Sequence, residues 1–285
     1  MNRARRSGLI YSAPMGLWLT LFFLVPLSII VLYSFLKKGL YGGVEWQFTL
    51  NAYKEMFNPA FMRVLWRTLW VSVVATSITL LLALPCGYAM ARSRHQIFWL
   101  ALVIVPFWTN SLIRIYAWIA ILSSEGFVNE LLRSLGLIKE SLSLIYNQGA
   151  VITVLVYVNI PFAILPLFTT IDKFDFQLLE AARDLGATKR KAIFSVLLPS
   201  IKSGVITALI FTFIPIFGAY TTPLLVGGKD SYMIGNIIVD QVTKTRNWPL
   251  ASAFSLIITL LSTLGVVWML VSSQQERVQN KRGVL

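Results

Sequence analysis

The chain has 285 residues, of which 56% are hydrophobic and 13% are charged, and its mean hydropathy is +0.71. Soluble domains carry about 25% charged residues, so this composition excludes an ordinary soluble protein. The net charge of +13 does not indicate nucleic-acid binding, because the bases flank long apolar runs, where they set membrane orientation. With one cysteine and one histidine, the chain has no residue set for a thiol site, a metal site or a histidine base.

Six apolar runs are each long enough to cross a membrane as a helix. The predicted spans are Ala13 to Leu36, Val64 to Ala91, Ile97 to Leu122, Ala150 to Ile171, Ile201 to Val226 and Leu250 to Ser272. The first run is longer than the apolar core of a signal peptide and no small-residue cleavage site follows it, so we expect it to be retained. We therefore predict an all-α polytopic membrane protein with six transmembrane helices, and short surface helices near residues 51–57 and 128–135.

The spans divide the chain into an N-terminal region (1–63) that holds the tail, the first span and a polar segment, a five-helix transmembrane domain (64–273) and a polar tail (274–285). Lysine and arginine are denser in the two tails, the turn 92–96 and the loop 172–200 than on the opposite side of the membrane. The positive-inside rule therefore predicts that both termini and this loop are cytoplasmic.

The loop 172–200 has the pattern of two short helices. They are predicted to run from Phe176 to Leu185 and from Thr188 to Leu198. Asp175 and Thr188 are suited to cap their N-termini, Gly186 suits the position that ends the first helix, and Pro199 marks the entry to the fifth span. One apolar face follows from the spacing of Leu178, Leu179, Ala182 and Leu185.

Three bases, Lys189 to Lys191, begin the second of these helices, where positive charge opposes the helix dipole. Their position favours an acidic partner surface or lipid headgroups. The helical pattern alone is equally typical of an amphipathic hairpin on a membrane surface and of a docking site for a partner protein.

The same loop contains a spaced motif. Glu180-Ala181-Ala182 is followed by three residues, Gly186, nine residues, Val196, one residue and Leu198-Pro199. This resembles the EAA motif of ABC-importer permeases, which has isoleucine where this chain has valine. In that family the loop forms a coupling helix that docks into an ATP-binding subunit. The resemblance implies a coupling role for Glu180, Ala181, Ala182, Arg183, Leu185, Gly186, Leu198 and Pro199.

The resemblance extends over residues 10 to 275. The segment Val105 to Trp118 and the patterns Val226-Gly227-Gly228 and Ile234-Gly235-Asn236 are similar to those of permeases of spermidine/putrescine importers, and the second to sixth spans resemble the type I ABC-permease transmembrane domain. One departure bears on the substrate, because Leu224 and Leu225 stand where some members have an acidic residue. Opines, phosphonates, iron and sulfate are the alternative cargoes.

The resemblance also implies the partners of the chain. They are a second, related permease subunit, two ATP-binding subunits, a periplasmic solute-binding protein and the lipid of the bacterial inner membrane. The chain has no GxxxxGK[ST] motif, so we expect ATP and magnesium to bind the separate ATPase subunits. We expect no catalytic residue, cofactor or metal on this chain.

Two segments are candidates for the translocation path. The third span contains Trp108, Thr109, Asn110, Arg114 and Tyr116, and the end of the fifth contains Tyr220 and Thr221. A charge within a span is costly unless it is paired or hydrated, which favours a polar path, although the interface end of a span also gathers tryptophan and arginine. Asp240 can attract amines or be simply solvated.

Two other classes of function have less support. An ion-coupled secondary carrier would need acidic residues deep in a span to relay protons, and no predicted span has one deep within it. A membrane-embedded enzyme would need a histidine–cysteine cluster or a pair of carboxylates, which these spans also lack.

Overall fold

The computed structural model describes residues 13–282, and in this part the chain is mainly helical, as predicted. Two short strands, β1 (Leu36–Lys38) and β2 (Val44–Phe48), are additional to the prediction. The helices are α1 (Ala13–Ser34), α2 (Asn51–Met56), α3 (Pro59–Ala91), α4 (Gln96–Trp108), α5 (Ser111–Leu122), α6 (Phe127–Ser134), α7 (Gln148–Asp172), α8 (Gln177–Asp184), α9 (Lys189–Ser200), α10 (Lys202–Phe217), α11 (Thr221–Val226), α12 (Ile234–Thr243) and α13 (Trp248–Arg282).

Five segments of the described chain are long and apolar enough to cross a membrane: α1, α3, α5 with α6, α7 and the first part of α13. A sixth is obtained when α9 and α10, which meet at a bend of 72°, are counted as one span. The predicted first, second, fourth and sixth spans are confirmed as helices. Helix α13 continues to Arg282 beyond the predicted span, because glutamine, glutamate, lysine and arginine are good helix formers and no proline interrupts them.

The predicted third span is wrong as a continuous helix. Helix α4 tightens into a 3₁₀ turn at Val105–Trp108, and α5 begins only at Ser111. Pro106 in this turn lacks the N–H that a continuing helix needs. Thr109 and Asn110 are in extended conformations, and the Asn110 side chain caps α5 by accepting a hydrogen bond from Leu112 N at 2.8 Å.

The predicted fifth span is interrupted near its end, where Gly218 and Pro223 predict a loosened helix. Helix α10 ends at Phe217, three residues follow without helical structure, and α11 then runs from Thr221 to Val226. Pro215 weakens the last turn of α10 because it cannot donate to the helix ladder. The N–H groups of Gly218 and Ala219 donate to Ile214 O and Ile216 O instead.

Residues 13–63 and 237–263 form one compact unit. Strands β1 and β2 pair antiparallel, and Lys37 Nζ lies 3.3 Å from Glu45 Oε2 across the pair. Gly43 N donates to Arg246 O at 2.8 Å, which attaches the hairpin tip to the segment before α13. The rings of Tyr33 and Trp248 stack with centroids 6.2 Å apart.

Residues 64–236, with the part of α13 that follows Thr263, form the second unit. Helix α7 is its most buried span and packs along α10. One apolar cluster joins α3, α7, α8, α9 and α10, and its fully buried members include Ala163, Leu167, Ile171, Leu197 and Ile201. The two helices of the loop 172–200 are therefore part of the core of this unit.

Candidate functional site

The loop 172–200, called here the 172–200 hairpin, folds into α8 and α9 close to the predicted bounds. Gln177 N donates to Asp175 Oδ1 at 3.0 Å, and Lys191 N donates to Thr188 Oγ1 at 3.3 Å. Both predicted capping residues thus hold the first turns of their helices. Helix α9 widens into a π-helix over Ile193–Leu197, which the sequence does not predict.

Gly186 ends α8 in the way that its position predicted. Its φ is +89°, a value that residues with a side chain rarely adopt. Gly186 N donates to Arg183 O at 2.9 Å and Ala187 N donates to Ala182 O at 3.0 Å. This pair of bonds is a Schellman motif, and it fixes the angle at which the chain leaves α8.

The hairpin has a buried side and an exposed side. Leu179 is buried and Ala182 is half-buried, as expected for the apolar face, but Leu178 and Leu185 are exposed, Leu185 to 90%. The apolar face predicted for α8 is therefore only partly buried, and the two leucines extend it onto the exposed side. Of the other predicted coupling residues, Glu180, Ala181, Arg183, Gly186 and Pro199 are exposed and Leu198 is half-buried.

A second group of predicted residues lies at the break between α4 and α5. Trp108 is 83% exposed and Tyr116 is 57% exposed, and Thr109 and Asn110 are also exposed. The Arg114 guanidinium lies 4.3 Å from the centre of the Phe107 ring. Its Nε and Nη1 atoms are buried without a hydrogen-bond partner among the described residues. Phe107 was not named as a candidate, although it lies in the segment Val105 to Trp118 that carries the resemblance.

The third group lies at the break between α10 and α11. Tyr220 is 46% exposed and Thr221 is half-buried. Asn236 holds this break, because its Nδ2 donates to Tyr220 O at 2.8 Å while its Oδ1 accepts from Met233 N at 3.0 Å. A Cβ on Gly235 would lie 2.8 Å from Ala219 O, so only glycine permits this approach. In the sequence, the pattern Ile234-Gly235-Asn236 quoted above is the signal for this close packing.

Asp240 lies in the unit formed by residues 13–63 and 237–263. Its Oδ1 is 2.8 Å from Lys244 Nζ, so the carboxylate has a partner one helical turn away. Among the described residues there is also no group of three histidine, cysteine or acidic side chains placed to hold a metal ion.

Comparison with known proteins identifies the family. Residues 79–278 match the family described as binding-protein-dependent transport system inner membrane component. The chain is 38% identical over 267 residues to the spermidine/putrescine transport system permease protein PotB of Escherichia coli (strain K12), covering 93% of this chain and 96% of that protein. It is 32% identical over 232 residues to the inner membrane ABC transporter permease protein YdcU of the same organism, covering 76% and 74%.

Solved structures share the fold. The chain superposes with a TM-score of 0.77 on a bacterial ABC transporter involved in the import of the acidic polysaccharide alginate, at 17% identity, covering 95% of this chain and 96% of that one. A second structure of a bacterial alginate transporter, in complex with an alginate pentasaccharide-bound periplasmic protein, gives 0.75 at 16% identity, covering 93% of both. The predicted permease fold is confirmed, and the chain belongs to the family of inner membrane components of binding-protein-dependent transport systems.

Proposed function

We propose that this chain is the permease subunit of an ATP-driven importer of polyamines such as spermidine and putrescine. The observation that carries the proposal is the geometry of the 172–200 hairpin, whose motif residues are exposed on one side while the other side belongs to the core. The substrate class is supported by the PotB relatives, which are matched over nearly their whole length. The chain performs no chemistry of its own and forms half of the translocation path.

The exposed side of the hairpin is the docking surface for an ATP-binding subunit. Leu185, exposed to 90% at the end of α8, offers an apolar side chain for contact with the partner. Glu180 and Arg183 on the same helix are exposed charged residues. Clustered exposed apolar residues rimmed by polar ones are typical of protein–protein interfaces. Closure of two ATP-binding subunits, which bind ATP and magnesium, then displaces the hairpin.

The partners follow from the family. A second permease subunit of related sequence supplies the other half of the path, two ATP-binding subunits dock on the hairpins, and a periplasmic solute-binding protein delivers the cargo. The family description names binding-protein dependence, and the solved alginate transporter binds a periplasmic protein. The distribution of basic residues supports a cytoplasmic position for both termini and for the hairpin.

The two helix breaks line the path. Irregular backbone at membrane depth is tolerated where it faces protein or a water-filled cavity, and both breaks place polar or aromatic groups there. Trp108, Tyr116 and Tyr220 offer exposed rings that suit a flexible cation with methylene groups, through cation–π and apolar contact. Thr109, Asn110 and Thr221 add hydroxyl and amide groups. Arg114, whose Nε and Nη1 have no hydrogen-bond partner among the described residues, is free to order a carboxylate or carbonyl. Asp240 is a separate candidate for attracting amines.

Uptake into proteoliposomes tests the proposal. The chain is reconstituted with its partner permease, ATPase subunit and solute-binding protein, and labelled spermidine is supplied with and without ATP. We expect ATP-dependent uptake that unlabelled putrescine competes away. ATP-dependent uptake of an anion but not of spermidine would overturn the substrate class. Uptake driven by an ion gradient without the ATPase would overturn the permease role.

A further inference from the structure

The turn between α3 and α4, residues 92–96, is attached to the 172–200 hairpin by a side-chain hydrogen bond. Gln96 Nε2 donates to Asp172 Oδ1 at 2.8 Å and to Ala91 O at 3.0 Å. A glutamine amide has two N–H donors, and both are used. Gln96 thus joins the first residue of α4 to the last residues of α3 and α7.

The charge of Asp172 suits this contact better than it suits its own helix. Asp172 is the last residue of α7, where a carboxylate opposes the negative end of the helix dipole. The N-terminus of α4, where Gln96 lies, has the opposite sign. The contact therefore gives the carboxylate a favourable partner at the point where the chain leaves α7 for the hairpin.

A second contact attaches the same turn to the start of α8. The Arg92 guanidinium lies 5.2 Å from the centre of the Phe176 ring, and Tyr88 packs edge-on against that ring with centroids 6.0 Å apart. A hydrogen bond to the Tyr88 hydroxyl, with a smaller contribution from the charge of Glu180, raises the pKa of Arg92. Arg92, Glu180 and Phe176 line one cleft, so the turn lies beside the first residue of the coupling motif.

We propose that Gln96 and Arg92 are positioning residues for coupling. They hold the start of the hairpin against the start of α4, so that a displacement of α8 reaches the break at 109–110 through α4. The covalent route through α9 and the 72° bend leads only to α10 and the break at 218–220. The inference rests on the proposed role of the hairpin as the docking surface for the ATPase subunit.

The test measures uptake and ATP hydrolysis in the same proteoliposomes, with the complete transporter, the binding protein and labelled spermidine. Loss of a hydrogen bond of this kind changes an equilibrium by about three- to tenfold, and we expect Gln96→Ala to lower spermidine uptake per ATP by that factor. Asp172→Ala should give the same loss, and the double variant should be no worse than either. Asp172→Asn keeps an acceptor oxygen and should retain most of the ratio.

Arg92 is tested in the same assay. Arg92→Ala should lower uptake per ATP, and Arg92→Lys should restore it only in part, because an ammonium keeps the charge near Glu180 but lacks the planar group that stacks on a ring. Arg94→Ala is the matched control, since Arg94 is an exposed base of the same turn, and its ratio should stay unchanged.

Three results would overturn the inference: additive losses in the double variant, an unchanged ratio in Gln96→Ala, or uptake and hydrolysis that fall in parallel. The parallel fall is the result expected if the turn merely supports folding or assembly. The unaltered transporter is measured first. If it shows no ATP-dependent uptake, the proposed function itself is overturned, and the role of the turn with it.

Discussion

The two helix breaks of this protein are held very differently. The break at 218–220 is fastened by a distant part of the chain, because Asn236 Nδ2 donates to Tyr220 O and Gly235 packs directly against Ala219 O, while Met233 N donates to Asn236 Oδ1 and so orients its side chain. The break at 109–110 has only local bonds, the Asn110 cap and the bond from Thr109 Oγ1 to Pro106 O at 2.7 Å, and next to it lies a guanidinium with two nitrogens that have no hydrogen-bond partner among the described residues. A buried donor without a partner costs free energy that another conformation can recover. We therefore expect the segment 105–118 to rearrange during transport while 218–236 moves as a rigid piece.

The largest expected effect is at the 172–200 hairpin, which is proposed to drive both breaks. A β-branched residue at φ +89° costs about 1–3 kcal/mol of strain, so Gly186→Val should reshape the end of α8 and reduce ATP-dependent uptake to background. The transporter should still insert and assemble.

Gly136 provides the matched control for this change. Its φ is +71°, and it ends α6 with the same pair of hydrogen bonds, from Gly136 N to Arg133 O and from Leu137 N to Leu132 O. Gly136→Val carries the same strain away from the hairpin and should leave uptake largely intact. Equal losses in the two variants would show that strain alone, and not the hairpin, explains the effect.

The next largest effect is expected when the contact that fastens the break at 218–220 is removed. Asn236→Leu leaves Tyr220 O and Met233 N without their partners in a buried site, at a cost of about 2–4 kcal/mol, which thermal unfolding of the purified transporter measures. Uptake per folded transporter should also fall, because the break is no longer rigid.

Asn129 offers a control with the same chemistry elsewhere. It is buried, its Nδ2 donates to Ser123 O and Leu142 O, and its Oδ1 accepts from Leu142 N. Asn129→Leu should destabilise the protein by a similar amount while uptake per folded transporter is retained. If Asn236→Leu behaves in the same way, the break at 218–220 has no special role in transport.

A smaller effect is expected at the first break. Asn110→Ala removes a single exposed cap and should lower the free energy of unfolding by about 1 kcal/mol. Hydrogen exchange of the amides in 109–113 should rise, while that of 218–222 should not. A stability loss as large as that of Asn236→Leu would remove the distinction between a fastened and a loose break.

The smallest effect on stability is expected at Arg114. Arg114→Met removes a cation–π contact worth about 0.5–2 kcal/mol together with two buried donors whose cost is of similar size, so the thermal midpoint should stay nearly constant. Arg114→Lys keeps the charge and serves as the comparison. A marked loss of stability in Arg114→Met would mean that the guanidinium has a strong partner in the assembled transporter.

Local signals in the sequence predict local structure well here. Asp175, Thr188 and Gly186 were assigned as caps from residue type and spacing alone. The structure confirms Thr188 and Gly186, and Asp175 accepts from Gln177 N one residue before the N-cap position. These assignments depend on bonds to neighbours within five residues, so a sequence pattern contains the whole interaction. The apolar spans are equally visible, because hydrophobicity over 20 residues is a property of the segment itself.

The second break was signalled by glycine and proline near 218–223, whereas the first break and the attachment of the turn were not predicted. The runs 97–122 and 201–226 are long and mostly apolar, so their length suggested helices across the membrane. The fastening of the second break depends on Asn236, sixteen residues away from Tyr220. Gln96 and Asp172 are separated by 76 positions. Contacts of this kind exist only after α3, α7 and α10 have packed, and no periodicity in the chain encodes them.

In the proposed coupling, the bend between α9 and α10 determines the direction in which a displacement of the hairpin reaches α10. Ile201, the residue at the bend, is 1% exposed and belongs to the apolar core, so the corner between the two helices is anchored. The axes of α9 and α10 differ in direction by 72°. A displacement along the axis of α9 therefore moves α10 mainly perpendicular to its own axis and only to a small extent along it. A pore lined by α10 would therefore widen or narrow without its helix having to slip past the tightly packed α7.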